Sequence, residues 1–169
     1  KQLIDRMHIY GEKLAVITSA LMFGLFHGNL SQLFYAFALG LVFGYVYLKT
    51  GRLRYSIGLH MLINFIGSVV GPFFLEKLAV LDTMETMDLA ALEPILPWLL
   101  GFGAYVLVLI GLAIAGLVLL CINKRRVSFA PAELELPKES RFKTVYVNVG
   151  MILLILGCAA LIISNVMML

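Results

Sequence analysis

Charge is scarce in this sequence and unevenly placed. Only 14% of the 169 residues are Asp, Glu, Lys or Arg and 62% are hydrophobic, whereas a soluble domain has about 25% charged residues. The run LAVITSALMFGLF carries no charge at all. This profile excludes an ordinary soluble domain and is typical of a multi-span helical membrane protein. The net charge of +3 does not indicate a nucleic-acid partner, because the basic residues lie in short clusters between apolar runs, and no such partner is expected.

Cysteine is also rare, and no targeting signal is visible. The two cysteines, Cys121 and Cys158, have neither metal-ligand nor redox spacing, and we interpret them as small helix-packing residues. The chain begins with Lys1 rather than Met, and no signal peptide precedes the first apolar run. We therefore expect this chain to be the C-terminal part of a longer protein.

Five apolar stretches approach or reach the length of a membrane-spanning helix, about 20 residues. In chain order, the expected helices A to E cover residues 14–29, 31–48, 55–75, 95–122 and 144–169. Helix A is short for a span, so we expect it to extend back toward Tyr10 or to lie inside a bundle. Gly28 and Asn29 are expected to end it. The predicted fold is an all-α, polytopic transmembrane bundle of about five spanning helices.

Charged residues between the spans predict how the chain crosses the membrane. The basic B–C and D–E links contain Lys49, Arg52 and Arg54, and Lys124, Arg125, Arg126, Lys138, Arg141 and Lys143. The acidic C–D link contains Glu76, Asp82, Glu85, Asp88 and Glu93. Because basic loops stay in the cytoplasm, we place the N-terminal segment and both basic links inside, and the C–D link outside.

These links divide the chain into three regions. Residues 1–75 are expected to form a core of catalytic type, and residues 76–94 an extracytoplasmic loop. Residues 95–169 supply two further spans joined by a basic cytoplasmic loop at 123–143, which we expect to be mobile and to lie on the anionic inner leaflet. Gly40 and Gly44, four residues apart, predict a close approach between helix backbones.

Two histidines interrupt the apolar runs, His27 in helix A and His60 in helix C. A polar side chain at membrane depth is costly unless it has a hydrogen-bond partner or a function. A single such histidine is equally consistent with a structural hydrogen bond and with a functional role. Each of these two has a neighbour one turn away. Asn64 follows His60 by four residues and Phe23 precedes His27 by four, so each pair shares one helix face.

A shared site for the two histidines requires them to meet at one depth. Helices A and C are expected to run in the same direction. At ~1.5 Å per residue, however, His27 lies ~21 Å from Lys13 while His60 lies only ~9 Å from Arg54. Tilt or a later start of helix A would close this gap.

Two imidazoles and an amide suit hydrolysis by activated water. An imidazole binds zinc or takes a proton near neutral pH, and an amide donates to a developing oxyanion. A carboxylate base is the part that these residues lack. No Asp or Glu lies within helices A, B or C, and Glu12 lies just before helix A.

The order of these motifs resembles the CPBP family of intramembrane metalloproteases, also called Abi. That family contains CAAX prenyl proteases and bacteriocin-processing or self-immunity proteins. FGLFH and HMLIN match its Phe-x-x-x-His and His-x-x-x-Asn motifs. The family's first motif, Glu-Glu-x-x-x-Arg, is missing from this sequence, and we expect it upstream of Lys1. This piece alone is therefore expected to be inactive.

The resemblance implies an intramembrane endopeptidase that hydrolyses a peptide bond with activated water. It implies catalytic roles for His27, His60 and Asn64, with Phe23 shaping the pocket. It also implies that His27 and His60 are metal ligands. Zinc is the candidate metal, since two histidines and a carboxylate form a known catalytic zinc set. The implied partners are a peptide or protein substrate and the lipid bilayer, and the implied location is a bacterial plasma membrane, crossed several times.

Two other functions are consistent with a chain of this composition. A catalytically silent interaction or immunity protein would protect its host by binding, and would do so without the histidines. A transporter is disfavoured, because helices D and E offer no polar path and no inverted repeat is visible. The sequence does not indicate the natural peptide, the host or the oligomeric state.

Overall fold

The structure is a computed structural model that describes residues 1–83, 92–134 and 136–168, and these are helical apart from turns and short links. The α-helices are α1 Gln2–Met7, α2 Glu12–Leu25, α3 Leu30–Thr50, α4 Leu53–Phe65, α5 Gly71–Leu78, α6 Leu96–Asn123, α7 Lys138–Tyr146 and α8 Val149–Met167. A π-helical segment covers Ile66–Val70, and 3₁₀ turns cover His8–Tyr10, Ala79–Thr83 and Lys124–Arg126.

Helices long and apolar enough to cross a membrane correspond to the expected helices B to E. They cover Leu30–Thr50, Leu53–Asp82, Leu96–Arg126 and Val149–Met167. The predicted all-α bundle is thereby confirmed. Helix A differs, because α2 has 14 residues and at ~1.5 Å per residue spans ~21 Å, less than the ~30 Å hydrocarbon core. Within the described residues there are four candidate spans rather than about five.

Two expected boundaries changed. The predicted loop at 76–94 begins as helix, because α5 and the following 3₁₀ turn continue to Thr83. Glu85 and Asp88 of its acidic stretch lie outside the described residues. Helix E is divided into α7 and α8, and Asn148 caps α8 by accepting a 3.0 Å hydrogen bond from the Met151 N–H.

The described chain forms two compact units, and the first comprises Lys1–Leu59 and Phe129–Leu169. Its centre is α2, which contacts α1, α3 and α8. The buried residues of α2 are Ala15, Val16, Thr18, Ala20, Met22 and Gly24. The buried Thr18 hydroxyl shares a 2.9 Å hydrogen bond with the Tyr146 hydroxyl at the end of α7. The short α2 is therefore enclosed by other helices, as the sequence suggested.

Small residues allow α2 and α3 to touch at the backbone. A Cβ at Gly24 would lie 2.9 Å from the Leu33 carbonyl oxygen, and a Cβ at Gly40 would lie 2.9 Å from the Ala20 Cα. Neither separation leaves room for a side chain. Gly44 packs against Val16 in the same contact. The predicted close approach through Gly40 and Gly44 is confirmed.

The second unit comprises His60–Ser128. Its π-helical segment ends at Gly71, whose N–H donates to the Ile66 carbonyl five residues back. Pro72 follows, and because proline has no N–H and crowds the preceding turn, a regular α-helical turn is disfavoured here. The Tyr105 hydroxyl of α6 also donates to the Ile66 carbonyl, at 3.0 Å, and its ring stacks on Phe74 with centroids 5.8 Å apart.

Candidate functional site

His27 lies in the turn after α2 and not inside the helix. α2 ends at Leu25, and the His27 and Gly28 N–H groups donate to the Gly24 and Leu25 carbonyls at 3.2 and 3.0 Å. Gly28 has φ 61°, the left-handed conformation that commonly ends a helix. The prediction that Gly28 ends helix A is confirmed, but the helix ends two residues before His27.

The His27 imidazole is held in a defined orientation. Its Nδ1 lies 2.7 Å from the Phe23 carbonyl oxygen. Because a carbonyl can only accept, Nδ1 carries a hydrogen, and in the neutral imidazole the lone pair is then on Nε2. The Phe23 ring packs edge-on against the imidazole, with centroids 4.9 Å apart and planes at 74°. His27 therefore presents Nε2 as a base or a ligand.

Phe23 connects this turn to the neighbouring helices. Its ring also packs edge-on against Phe43 of α3, with centroids 5.8 Å apart. The Phe43 carbonyl accepts a 2.9 Å hydrogen bond from the buried Ser56 hydroxyl at the start of α4. Phe23 was expected to shape a pocket, and in the structure both its carbonyl and its ring fix the imidazole.

Asn29 begins the next helix. Its Oδ1 accepts hydrogen bonds from the Ser31 and Gln32 N–H groups, at 2.8 and 3.4 Å, which is the N-cap geometry of α3. The expectation that Asn29 ends helix A is wrong, because its backbone is extended, with φ −137° and ψ 129°, and its side chain faces forward along the chain.

Asn165 of α8 was missed by the sequence analysis. Its Nδ2 donates a 2.6 Å hydrogen bond to the carbonyl oxygen of Gly28, the residue that follows His27. The two residues are 137 positions apart, so no local pattern connects them. The available signal was an amide within the apolar run LIISNVMML, since polar groups at membrane depth need partners.

His60 and Asn64 both lie on α4, in the second unit. Their spacing places them on one helix face, one turn apart, with His60 partly exposed and Asn64 exposed. The π-helical segment begins two residues after Asn64, and such segments are frequent at functional sites. His27 belongs to the first unit, so the convergence of the two histidines stays a prediction.

One feature of His27 is consistent with the zinc prediction. A metal-binding histidine usually donates its other ring N–H to a carbonyl or carboxylate, and His27 makes this bond to Phe23. In the part of the chain that the structure describes, no group of three or more His, Cys, Asp or Glu side chains is placed to hold a metal ion. His27 thus fits one ligand position, and the complete zinc set stays a prediction.

Glu12 is the first residue of α2 and has a structural partner. Its Oε2 accepts 2.7 Å hydrogen bonds from the Lys49 ammonium and the Ala130 N–H. Thirteen helical steps of ~1.5 Å place it ~20 Å from the end of α2 that precedes His27. Glu12 therefore does not supply a base for His27. The Ala130 contact attaches the D–E loop, which was expected to be mobile, to α2 at this point.

The same contacts set the charge state of Glu12. Burial alone would raise the pKa of its carboxyl, but the hydrogen bonds from Lys49 and Ala130, with the positive charges of Lys49 and His8, lower the pKa below its usual range. Glu12 is therefore an anion at neutral pH and joins three segments of the chain.

Comparison with known proteins agrees with this geometry. Residues 2–66 match the model of the Rce1-like family, described as type II CAAX prenyl endopeptidase Rce1-like. The matched residues include both histidine motifs and the turn between α2 and α3. No curated protein and no solved structure matches the chain. The match supports the resemblance that the two motifs indicated: residues 2–66 are similar to the Rce1-like, CPBP-type family of proteases.

Proposed function

We propose that this protein is an intramembrane endopeptidase that hydrolyses a peptide bond in a membrane-associated peptide or protein. The observation that carries the proposal is the His27 imidazole, whose Nδ1–H donates to the Phe23 carbonyl and whose Nε2 keeps its lone pair. The family match supports it, because the matched residues include both motifs.

Each residue has a role that its chemistry allows. His27 Nε2 orients the attacking water and accepts its proton, since neutral imidazole is a base near neutral pH. The Asn64 amide donates to the oxyanion of the tetrahedral intermediate. Alternatively, the single lone pair of His27 Nε2 would bind zinc together with His60, and zinc when bound lowers the pKa of water. The carboxylate that the family resemblance implies is not supplied by Glu12, which Lys49 and Ala130 engage.

The proposed setting is a bacterial plasma membrane, crossed several times. The four apolar helices supply the spans. Lys49 and Ala130 lie in the two links that are predicted to be cytoplasmic. Glu12 lies in the N-terminal segment, which is predicted to be on the same side of the membrane. Their contact supports this orientation. The proposed partners are therefore the lipid bilayer and a peptide or protein substrate reached from within it.

A catalytically silent interaction or immunity protein is the second candidate. The engagement of Glu12 favours it, because this carboxylate, the one closest in sequence to FGLFHGN, serves structure. Such a protein would protect its host by binding and would not need His27 or His60. The two functions are separated by whether histidine substitutions remove cleavage or leave protection intact.

Cleavage by the full-length protein in proteoliposomes tests the first candidate. A farnesylated CAAX peptide and its unprenylated form, each with a fluorogenic scissile bond, serve as substrates. His27→Ala and His60→Ala should each lower kcat/KM about 100-fold or more, the usual contribution of a general base. His8→Ala is the matched control, because His8 is exposed in a 3₁₀ turn. Cleavage that survives both substitutions in folded protein would reject the assignment.

Cross-linking tests whether the histidines share a site. Cys121 and Cys158 are first replaced by Ala, and His27→Cys and His60→Cys are combined. A short bifunctional thiol reagent should join the pair, whereas His8→Cys with His60→Cys should stay unlinked, because His8 precedes the opposite end of α2. Linking of the control pair alone would contradict a common site.

A further inference from the structure

The helix α8 contacts the turn that carries His27 at Gly28. Asn165 Nδ2 donates to the Gly28 carbonyl oxygen at 2.6 Å. Leu161, one turn earlier on α8, places its Cβ 3.6 Å from the position that a Cβ on Gly28 would take. Gly28 itself is buried. The turn is therefore covered by α8 as well as fixed by its own backbone hydrogen bonds.

The amide suits the carbonyl that it contacts. Gly28 lies between the end of α2 and the cap of α3, so its carbonyl is outside both helical hydrogen-bond ladders. In an apolar surrounding, an unsatisfied carbonyl and an unsatisfied amide are each costly. The Asn165–Gly28 bond gives the carbonyl a donor and uses one N–H of the amide.

We propose that Asn165 is a positioning residue for His27. The turn is held on one side by the His27 N–H to the Gly24 carbonyl, and on the other by the Asn29 cap of α3. Asn165 fixes the peptide unit between these two anchors. With that unit fixed, the imidazole keeps the rotamer in which Nδ1–H reaches the Phe23 carbonyl and Nε2 stays available.

This inference extends the site beyond the family region. Residues 2–66 match the family, whereas α8 covers Val149–Met167. A determinant of the His27 geometry therefore lies in a part of the chain that the family match does not include. The inference rests on the proposed function for its catalytic meaning, but the orientation of His27 can be measured without a substrate.

Nitrogen-15 NMR of histidine-labelled protein in bicelles measures that orientation. The signals of the three histidines are assigned with His8→Gln, His27→Gln and His60→Gln. In the unsubstituted protein His27 should be mostly the Nδ1–H tautomer. Asn165→Leu should raise its ratio of Nε2–H to Nδ1–H about five-fold, the factor expected for one net hydrogen bond. The His8 tautomer ratio should not change.

Ser164→Leu is the matched control, because Ser164 is the adjacent exposed residue of α8. It should leave the His27 ratio unchanged. Asn165→Ser provides a second variant, whose hydroxyl is too short to reach Gly28 but introduces no bulk. If Asn165→Leu does not fold, the His27 tautomer ratio of Asn165→Ser is sufficient to test the proposal. An unchanged His27 ratio in folded Asn165→Ser would overturn the proposal.

The cleavage assay separates this proposal from the proposed function. If the protein cleaves the peptides, Asn165→Ser should lower kcat and leave KM unchanged, because substrate contacts are retained while the base is misaligned. If it cleaves neither peptide, the tautomer ratio still decides whether Asn165 positions His27.

Discussion

Single residues within FGLFHGN have separable structural roles. Phe23 holds the imidazole, Gly28 turns the chain, and Asn29 starts α3. The sequence predicted the importance of His27 and the turn at Gly28. It did not distinguish an asparagine that ends one helix from one that begins the next, because both occur where helices meet. Backbone dihedral angles decide between them, and a single sequence does not contain these.

Replacement of Asn29 tests its cap at the residue scale. Asn29→Ala should lower the free energy of unfolding by about 1 kcal/mol, because the Ser31 N–H loses its acceptor. Asn29→Ser should retain most of this stabilisation, since serine also caps helices well. The measurement is denaturant unfolding in detergent, followed by circular dichroism. Equal unfolding of the alanine, serine and unsubstituted proteins would contradict the cap.

At the scale of helices, hydropathy predicted some boundaries closely and others poorly. Helix B was expected at 31–48 and is Leu30–Thr50, and helix D was expected at 95–122 and is Leu96–Asn123. These ends follow the length of an apolar run, which hydropathy measures directly. Helix A was expected to reach residue 29 and ends at Leu25. Its end is set by a turn within the apolar run, where hydropathy does not change.

The close α2–α3 contact makes a prediction at this scale. Gly24→Ala should destabilise the protein by about 1–3 kcal/mol, because the new Cβ would meet the Leu33 carbonyl oxygen, a backbone atom, at 2.9 Å. Thermal unfolding in detergent measures the change.

Gly111→Ala on α6 is the matched control. Within the described residues, no heavy atom outside its own helix backbone and chain neighbours lies within 4 Å of the added Cβ. This variant should be neutral or slightly stabilising, as alanine favours a helix over glycine. A Gly24→Ala protein as stable as the Gly111→Ala protein would show that α2 and α3 can separate at little cost.

On the scale of the whole molecule, contacts between distant segments were not predicted. Asn165 and Gly28 are 137 residues apart, and Glu12 and Ala130 are 118 apart. Periodicity and hydropathy report local structure, so one sequence predicted the helices but not these pairings. The D–E loop was accordingly expected to be mobile, whereas its Leu134 N–H donates to the Ile9 carbonyl at 2.9 Å.

The Glu12 contact predicts a pH dependence for this loop. Because the pKa of Glu12 is lowered in the folded protein, its contribution to stability is present above the ordinary glutamate pKa of about 4.3 and is lost as pH falls through the lower, folded value. Hydrogen exchange of the Ala130 amide, corrected for intrinsic rate, should therefore accelerate in acid.

Substitution of Glu12 should mimic acid at neutral pH. Glu12→Gln should raise Ala130 exchange about ten-fold, the usual effect of losing a hydrogen bond to a charged group, and should remove its dependence on acid. Glu133→Gln makes the same charge change at an exposed position of the loop and should have no effect. Equal protection in the two variants would show that Glu12 does not hold the loop.

The π-helical segment Ile66–Val70 changes the azimuth of the helix that carries His60 and Asn64. Admitting one extra residue into a turn rotates everything beyond it by ~100° relative to an uninterrupted α-helix. The row of side chains that begins with His60 and Asn64 therefore does not continue along α5. Phe74 therefore stacks on Tyr105 of α6, while His60 and Asn64 lie on a different face of the helix. A stretch that hydropathy predicts to be one continuous apolar helix thus has two faces that point in different directions.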